Sequence, residues 1–178
     1  MSWANLLQPD LILPDSVLGI TPELLQHHQL QGLILDVDDT LVPASIPEVS
    51  DQLCHWLETL RPYVSLWLVT NNINRRRIER IATAVQVPYL LGAGKPSRRK
   101  LREAARGMNL PVSTIAMVGD RLFTDILAGN RLGMFTILVP PICYGEDFES
   151  SRLVHQFEGW LSRQLGTTVP PLSPTRLK

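Results

Sequence analysis

The run Leu33-Ile34-Leu35, followed without a break by Asp36, Val37, Asp38 and Asp39, constrains this chain more than any other stretch. Consecutive large aliphatic residues suit a strand covered on both faces, as the central strands of parallel sheets are, and here the apolar run ends directly in acids. The acids therefore sit at the carboxyl end of a buried strand, the edge at which open α/β sheets bind ligands. Asp36 and Asp38 are two residues apart on a chain leaving that strand, so both face one crevice while Val37 points back into the core. Acids crowded in this way repel one another, and a fold that keeps them together needs a cation or a shared proton. An Asp-rich surface turn would account for Asp39 and Thr40, but not for acids joined to a buried strand.

The rest of the chain supplies the partners such a strand needs. Residues 1–31 hold apolar bursts, no Lys or Arg, and a short helix from Pro22 to about His28 capped by Thr21; they are expected to pack on the core as an N-terminal segment. Ser45 and Glu48 are spaced as a capping box before a helix carrying Leu53, Trp56, Leu57 and Leu60. Strands follow at Val64–Val69, Tyr89–Leu91, Thr114–Val118 and Phe135–Val139, alternating with helices marked by Ile78, Ile81 and Val85, by Leu101, Ala104 and Met108 after Ser97 as N-cap, and by Thr124–Leu132 closed at Gly133. Leu153, Phe157, Trp160 and Leu161 stripe a last helix. Alternating strands and helices predict an α/β fold, a doubly wound parallel sheet with helices on both faces, over residues 32–165. Pro170, Pro171 and Pro174 predict a frayed tail over 166–178.

Composition excludes several classes. Among 178 residues, 17 Lys and Arg balance 17 Asp and Glu, so net charge implies no partner. Cys54 and Cys143 form no CxxC pair, and His27 and His28 lack other ligand types nearby, which argues against zinc and fits a reducing compartment. No run approaches the roughly 18 apolar residues of a membrane span, and no secretory signal opens the chain, so a cytoplasmic location is expected.

Just beyond the strand ends stand Asp36 and Asp38, then Thr70, then Lys95, then Asp120 and Asp125. All converge on one rim of a parallel sheet. An acidic pair, a hydroxyl, an ammonium and a second acidic pair are what phosphoryl transfer through a carboxylate needs: one acid to attack phosphorus, one to protonate the leaving oxygen, carboxylates to hold Mg²⁺, and Thr and Lys to grip the remaining oxygens.

These residues carry a resemblance. Asp36-Val37-Asp38-Asp39-Thr40-Leu41 is similar to the DxDxT[LV] signature of the haloacid dehalogenase (HAD) superfamily, Leu68 to Asn72 to its second motif, Lys95-Pro96 to its third, and Gly119-Asp120 through Asp125 to its fourth. Gly19 to Glu23, Gly119 to Arg121 and Gly129 to Gly133 extend the likeness to the capless branch, subfamily IIIA, that contains phosphatidylglycerophosphate phosphatases. The resemblance implies a Rossmann-like core without a cap domain, Asp36 as nucleophile, and Asp38 as general acid and then base. It further implies Mg²⁺ held by Asp36, Asp120 and the main-chain carbonyl of Asp38, with Asp125 supporting the metal's waters or orienting Lys95. Asn71 and Arg121 become candidate substrate contacts. Asp39 departs from the Asn usual in that branch. A receiver-type signalling domain also joins such a sheet to an Asp, a Thr and a Lys, but it places its second acids after another strand than the nucleophile.

Between Arg75 and Arg106 the chain holds ten Lys or Arg against two acids, Glu79 and Glu103, an excess of eight. Any one of these arginines is expected on a solvated helix face, whereas the cluster as a whole, with Arg98, Arg99 and Lys100 in it, is expected to meet an anionic substrate surface. The intervals from Leu41 to Thr70 and from Thr70 to Lys95 hold only the core's own helices and strands, leaving no room for a lid. An open, basic rim suits a phosphorylated glycerolipid headgroup reached from an anionic membrane surface, and no nucleic-acid partner is expected. The alternative is a phosphatase of the same family acting on a protein or nucleic-acid phosphate, which the basic cluster would serve equally.

Overall fold

The computed structural model describes residues 3–46, 48–143, 147–170 and 175–176. In chain order the elements are α1 (Trp3–Leu7), β1 (Leu11–Ile12), α2 (Pro22–His27), β2 (Gly32–Leu35), α3 (Asp51–Leu60), β3 (Ser65–Val69), α4 (Arg75–Val85), β4 (Tyr89–Leu90), α5 (Arg99–Met108), β5 (Ile115–Gly119), α6 (Leu127–Leu132), β6 (Phe135–Leu138), β7 (Ile142–Cys143), α7 (Asp147–Gln164) and β8 (Thr175–Arg176). Six strands form one parallel sheet in the order β1-β6-β5-β2-β3-β4, the doubly wound arrangement expected from the alternating pattern.

β2 lies at the centre, between β3 and β5, and its three aliphatic side chains are fully buried. Leu33 and Leu35 share a core with Leu57, Leu60, Ile78 and Ile81, on the face covered by α2, α3 and α4. Ile34 belongs to a second core with Met117, Leu101, Ala104 and Ala128, on the face covered by α5 and α6. Burying one such side chain stabilises the fold by roughly 1.5–3 kcal/mol, which is why a strand sandwiched between two helix layers shows no polar alternation. The carboxyl ends of β2, β3 and β5 point to the same rim because all three run parallel.

Several expectations are corrected. The N-terminal segment does more than pack on the sheet, because β1 is its edge strand, paired with β6 from Leu11 opposite Ile137. α3 starts at Ser50, whose hydroxyl accepts from the Leu53 amide at 3.2 Å, and not at the Ser45–Glu48 box. In the loop ahead of α3 the carbonyls of Pro43 and Ile46 accept from the guanidinium of Arg77. At α5 the cap position is Arg98, one residue later than expected, with no side-chain cap. The helix expected from Thr124 opens instead as a wide π-turn over Leu122–Ile126, and only then becomes α6, which ends at Gly133 with φ +80°. Such wide turns re-aim side chains, and this one carries Asp125.

The stripe on α7 is also reversed. Phe157 and Trp160 are 61% and 52% exposed, while Glu158 and Ser162 of the same helix are buried, because Glu158 is drawn inward by Arg121 and the Leu122 amide. In the expected frayed tail, Thr167 and Val169 are buried, Val169 in a third core with Leu7, Leu122 and Leu138; residues 171–174 and 177–178 lie outside the described residues.

Candidate active site

Asp36 is still held to the sheet, its amide donating to the Val118 carbonyl at 2.9 Å. The chain then turns sharply, with the amides of Leu41 and Val42 both donating to Val37 (3.0 and 3.2 Å). Asp39 takes the left-handed conformation this turn requires (φ +59°), which Asn and Asp tolerate better than other side-chain-bearing residues. Its Oδ1 accepts from the Ala44 amide at 2.9 Å. An Asn would offer the same oxygen, so the departure from Asn leaves the turn intact. Burial pushes the Asp39 carboxyl up to about 6, opposed by the Ala44 hydrogen bond and aided by Asp120 and Asp38.

Asp36, Asp120 and Asp125 are buried, and one carboxylate oxygen of each lies within 4.8 Å of the others. Lys95, also buried, is shared among them: its Nζ is 2.6 Å from Asp36 Oδ1 and 2.7 Å from Asp125 Oδ1, and donates to the Val69 carbonyl at 2.8 Å. Asp120 accepts from the Thr40 hydroxyl at 3.1 Å and has His155 Nε2 3.1 Å from its other oxygen. One ammonium cannot neutralise three acids. Burial accordingly pushes Asp36 up to about 8, with Lys95 opposing and Asp125 and Asp120 reinforcing the shift. Burial likewise raises Asp125 against the pull of Lys95. For Lys95 burial alone would lower the pKa, but Asp125 and Asp36 outweigh it and hold the ammonium charged. An all-oxygen cluster with negative charge left over fits a hard divalent cation such as Mg²⁺.

Asp125 is aimed by two local features. The Arg121 amide donates to its Oδ2 at 3.3 Å, and a Cβ at Gly119 would stand 2.5 Å from its Cγ, so only glycine fits beneath it. Asn71 braces Lys95 from behind, its side chain accepting from the Lys95 amide (2.7 Å) and donating to the Lys95 carbonyl (3.1 Å).

The Asp38 carboxylate is not in the acidic cluster. Its Oδ1 pairs with Arg77 Nη1, and its Oδ2 accepts from Asn72 Nδ2 at 2.9 Å and from the Thr70 hydroxyl at 3.5 Å. Of Asp38, this leaves the main-chain carbonyl for a cation. Asp36, Asp38, Asp39, Thr70, Asn71, Lys95, Asp120, Arg121, Thr124 and Asp125 line one cleft of about 200 Å³. A wider cavity of about 550 Å³ runs along α5 beside Arg102, Arg106 and Leu110, and holds none of these acids.

Not every candidate reaches the cleft. Arg98 donates to the Arg131 carbonyl at 2.9 Å, Lys100 pairs with Glu103 at 3.0 Å, and neither they nor the exposed Arg99 line it. Arg121 lines it, but Glu158 holds its guanidinium through Nε and Nη2 (3.1 and 2.7 Å). The basic cluster is also not one surface. α4 packs on one face of the sheet and α5 on the other, so only their first turns meet at the rim. Sequence reasoning left out Thr40, Asn72, Arg77, His155 and Glu158. The first two lie within the motifs but were given no role; the others reach in from α4 and α7, and nothing in their local pattern announces it.

Residues 92–141 match the family model described as HAD-hydrolase-like. The chain is 35% identical over 141 residues to the protein named Probable phosphatase YqeG of Bacillus subtilis (strain 168), a match spanning 76% of this chain and 81% of that one. It is 28% identical to phosphatidylglycerophosphate phosphatase 1, chloroplastic, of Chlamydomonas reinhardtii, across 94% of this chain but 65% of the longer relative. Among solved structures, a HAD family hydrolase of Streptomyces avermitilis MA-4680 superposes with a TM-score of 0.52 at 14% identity, covering 86% of this chain and 81% of that one, a likeness of fold.

Proposed function

Because the chain belongs to the haloacid dehalogenase superfamily, as one of its phosphatases, we propose that it hydrolyses a phosphomonoester through an aspartyl phosphate on Asp36, and that the ester is phosphatidylglycerophosphate. The observation that carries the chemistry is the pair of acids at the end of β2. Asp36 faces the metal-type cluster and Lys95, while Asp38, two residues on, is held apart from both.

In this reading an Asp36 carboxylate oxygen attacks phosphorus, the bond from phosphorus to the ester oxygen breaks, and Asp38 gives that oxygen its proton. Asp38 then takes a proton from water as the water attacks phosphorus, releasing phosphate and restoring the Asp36 carboxylate. Asp36, Asp120 and the Asp38 main-chain carbonyl would hold Mg²⁺, which supplies neutralising charge for the phosphoryl oxygens. Lys95 and Thr70 bind those oxygens, and Asp125, 2.7 Å from the ammonium, keeps Lys95 aimed.

The substrate assignment rests on the activity for which the Chlamydomonas relative is named and on the uncovered cleft. Arg75 and Arg76 on the first turn of α4 and Arg99 on that of α5 are exposed and flank the rim from opposite sides of the sheet, a setting for an anionic headgroup in an anionic leaflet. No helix among the described residues is long and apolar enough to cross a membrane, so the headgroup would be met at the surface. Phosphate release should be measured on phosphatidylglycerophosphate in vesicles, a phosphopeptide and a 3′-phosphorylated oligonucleotide, each with Mg²⁺, with Zn²⁺ and with excess chelator. Release from the lipid is expected to exceed the others at least about tenfold and to need Mg²⁺. Equal or faster release from the peptide or oligonucleotide overturns the substrate, and full activity in chelator overturns the Mg²⁺ requirement.

A further inference from the structure

Arg77 is misplaced by the rules of its own helix. It occupies the first turn of α4, beside the positive end of the helix dipole, where a cation is disfavoured and where α4 has no acid at all. Its side chain is nonetheless nearly buried, 11% exposed, and engaged through both terminal nitrogens: Nη1 pairs with Asp38 Oδ1, and Nη2 donates to the carbonyls of Pro43 (3.0 Å) and Ile46 (3.1 Å), while Nε is buried without a partner. Arg77 does not line the cleft that Asp38 lines, so it meets this acid from outside the cleft.

The contact closes a ring. Asn72 donates through Nδ2 to Asp38 (2.9 Å) and accepts through Oδ1 from the Asn74 amide (2.8 Å); Asn74 caps α4 by accepting from the Arg77 amide (3.2 Å); and the Arg77 side chain returns to Asp38. Both oxygens of Asp38 are thereby fixed by groups belonging to the start of α4. The second anchor of Arg77, on residues 43 and 46, ties the same acid to the loop that follows the nucleophile. Because a guanidinium is planar with diverging donors, it can hold a carboxylate and two carbonyls at once, which an ammonium cannot do with fixed geometry.

We propose that Arg77 is a positioning residue of the phosphatase reaction: it fixes the Asp38 carboxylate, and with it the loop over 43–46, in the place from which Asp38 transfers protons. This rests on reading Asp38 as the proton-transfer group. Fine placement of such a group governs the chemical step more than binding, since a misplacement of about 1 Å costs up to about a hundredfold.

The test is a double-mutant cycle with steady-state kinetics on an aryl phosphate and on an alkyl phosphate, the latter having the poorer leaving group. Arg77→Met should lower kcat about 10- to 100-fold on the alkyl ester and less on the aryl ester, with KM within about twofold, and should cost almost nothing more in an Asp38→Asn background. Arg77→Lys should lose less than Arg77→Met and show the same disappearance beside Asp38→Asn, which keeps the test open if Arg77→Met does not fold. An equal loss in both backgrounds would make Arg77 a structural brace only and overturns the proposal, as does full activity of Arg77→Met. If Asp38→Asn alone hurts aryl and alkyl esters equally, the proton-transfer reading falls first and takes this proposal with it.

Discussion

Asp36→Asn is expected to lose turnover by more than about 10⁴-fold while keeping its fold, because an amide is a far poorer nucleophile toward phosphorus yet preserves the shape of the side chain. Activity within about tenfold of the native chain, a barrier change of only about 1.4 kcal/mol, in protein whose circular dichroism is native, would remove Asp36 from the nucleophile's role. The same substitution has a stability signature. Without metal, Asp36 is raised from its ordinary 3.8 to about 8 by burial, with Asp125 and Asp120 adding to it and Lys95 opposing. The folded state therefore binds this proton more tightly than the unfolded one, so its contribution is full below about pH 4 and is lost as pH rises toward about 8. In chelator, the native chain should melt at lower temperature at about pH 8 than at about pH 5, and Asp36→Asn should flatten that slope by losing the titrating group. Parallel melting curves for the two proteins across that range would contradict the crowding of charge inferred here.

Lys95→Met should produce the largest loss of stability of any single change at the cleft. The ammonium touches two buried carboxylates and a buried carbonyl at 2.6 to 2.8 Å, and its removal leaves Asp36 and Asp125 with no buried cation among their described contacts. Breaking a buried pair by deleting one partner costs about 3–5 kcal/mol. The acids can limit that cost by taking up protons, so the loss should be greater at about pH 8 than at about pH 5. Mg²⁺ should recover part of it. Activity should fall about a hundredfold or more, since the same ammonium grips the phosphoryl oxygens in the proposed reaction. Urea unfolding at both pH values, with and without Mg²⁺, reads the stability effect. An unchanged midpoint at about pH 8 would mean that the acids do not depend on Lys95.

The parts of this arrangement that were legible in the sequence are those fixed by the strands. A buried parallel strand must be apolar to its last residue, so Leu35 marks where β2 stops and Asp36 where chemistry begins; Thr70, Lys95 and Asp120 follow from the same logic after β3, β4 and β5. Side chains that arrive from elsewhere were not legible. His155 and Glu158 come from α7, whose apolar residues suggested the opposite buried face, and nothing local says that Glu158 will be pulled in by Arg121. Arg77 looked like one of several arginines on a solvated helix, because only the tertiary fold brings the Pro43 and Ile46 carbonyls within its reach. The basic excess was real as a count but misleading as a surface, since consecutive helices of a doubly wound sheet cross to opposite faces. β1 was hidden for a simpler reason, in that two residues are too few to show a period.

That two-residue strand has a consequence in time. Leu11 and Ile12 pair with Ile137 and Leu138, and Asp10 accepts from the Thr136 amide (2.8 Å) and hydroxyl (3.0 Å), contacts that span 126 positions of chain. Closing so long a loop is entropically costly, and among the described residues β1 has no other strand to pair with. On a ribosome, which delivers about 5–20 residues per second, the segment emerges several seconds before the strand it joins, and an unpaired apolar edge is exposed meanwhile. The sheet should grow outward from β2 and be sealed last by its earliest-made residues. Pulse-labelled hydrogen exchange during refolding should then find the Leu13 amide, which ends on the Leu138 carbonyl at 3.0 Å, protected after the Asp36 amide on Val118 and not with it.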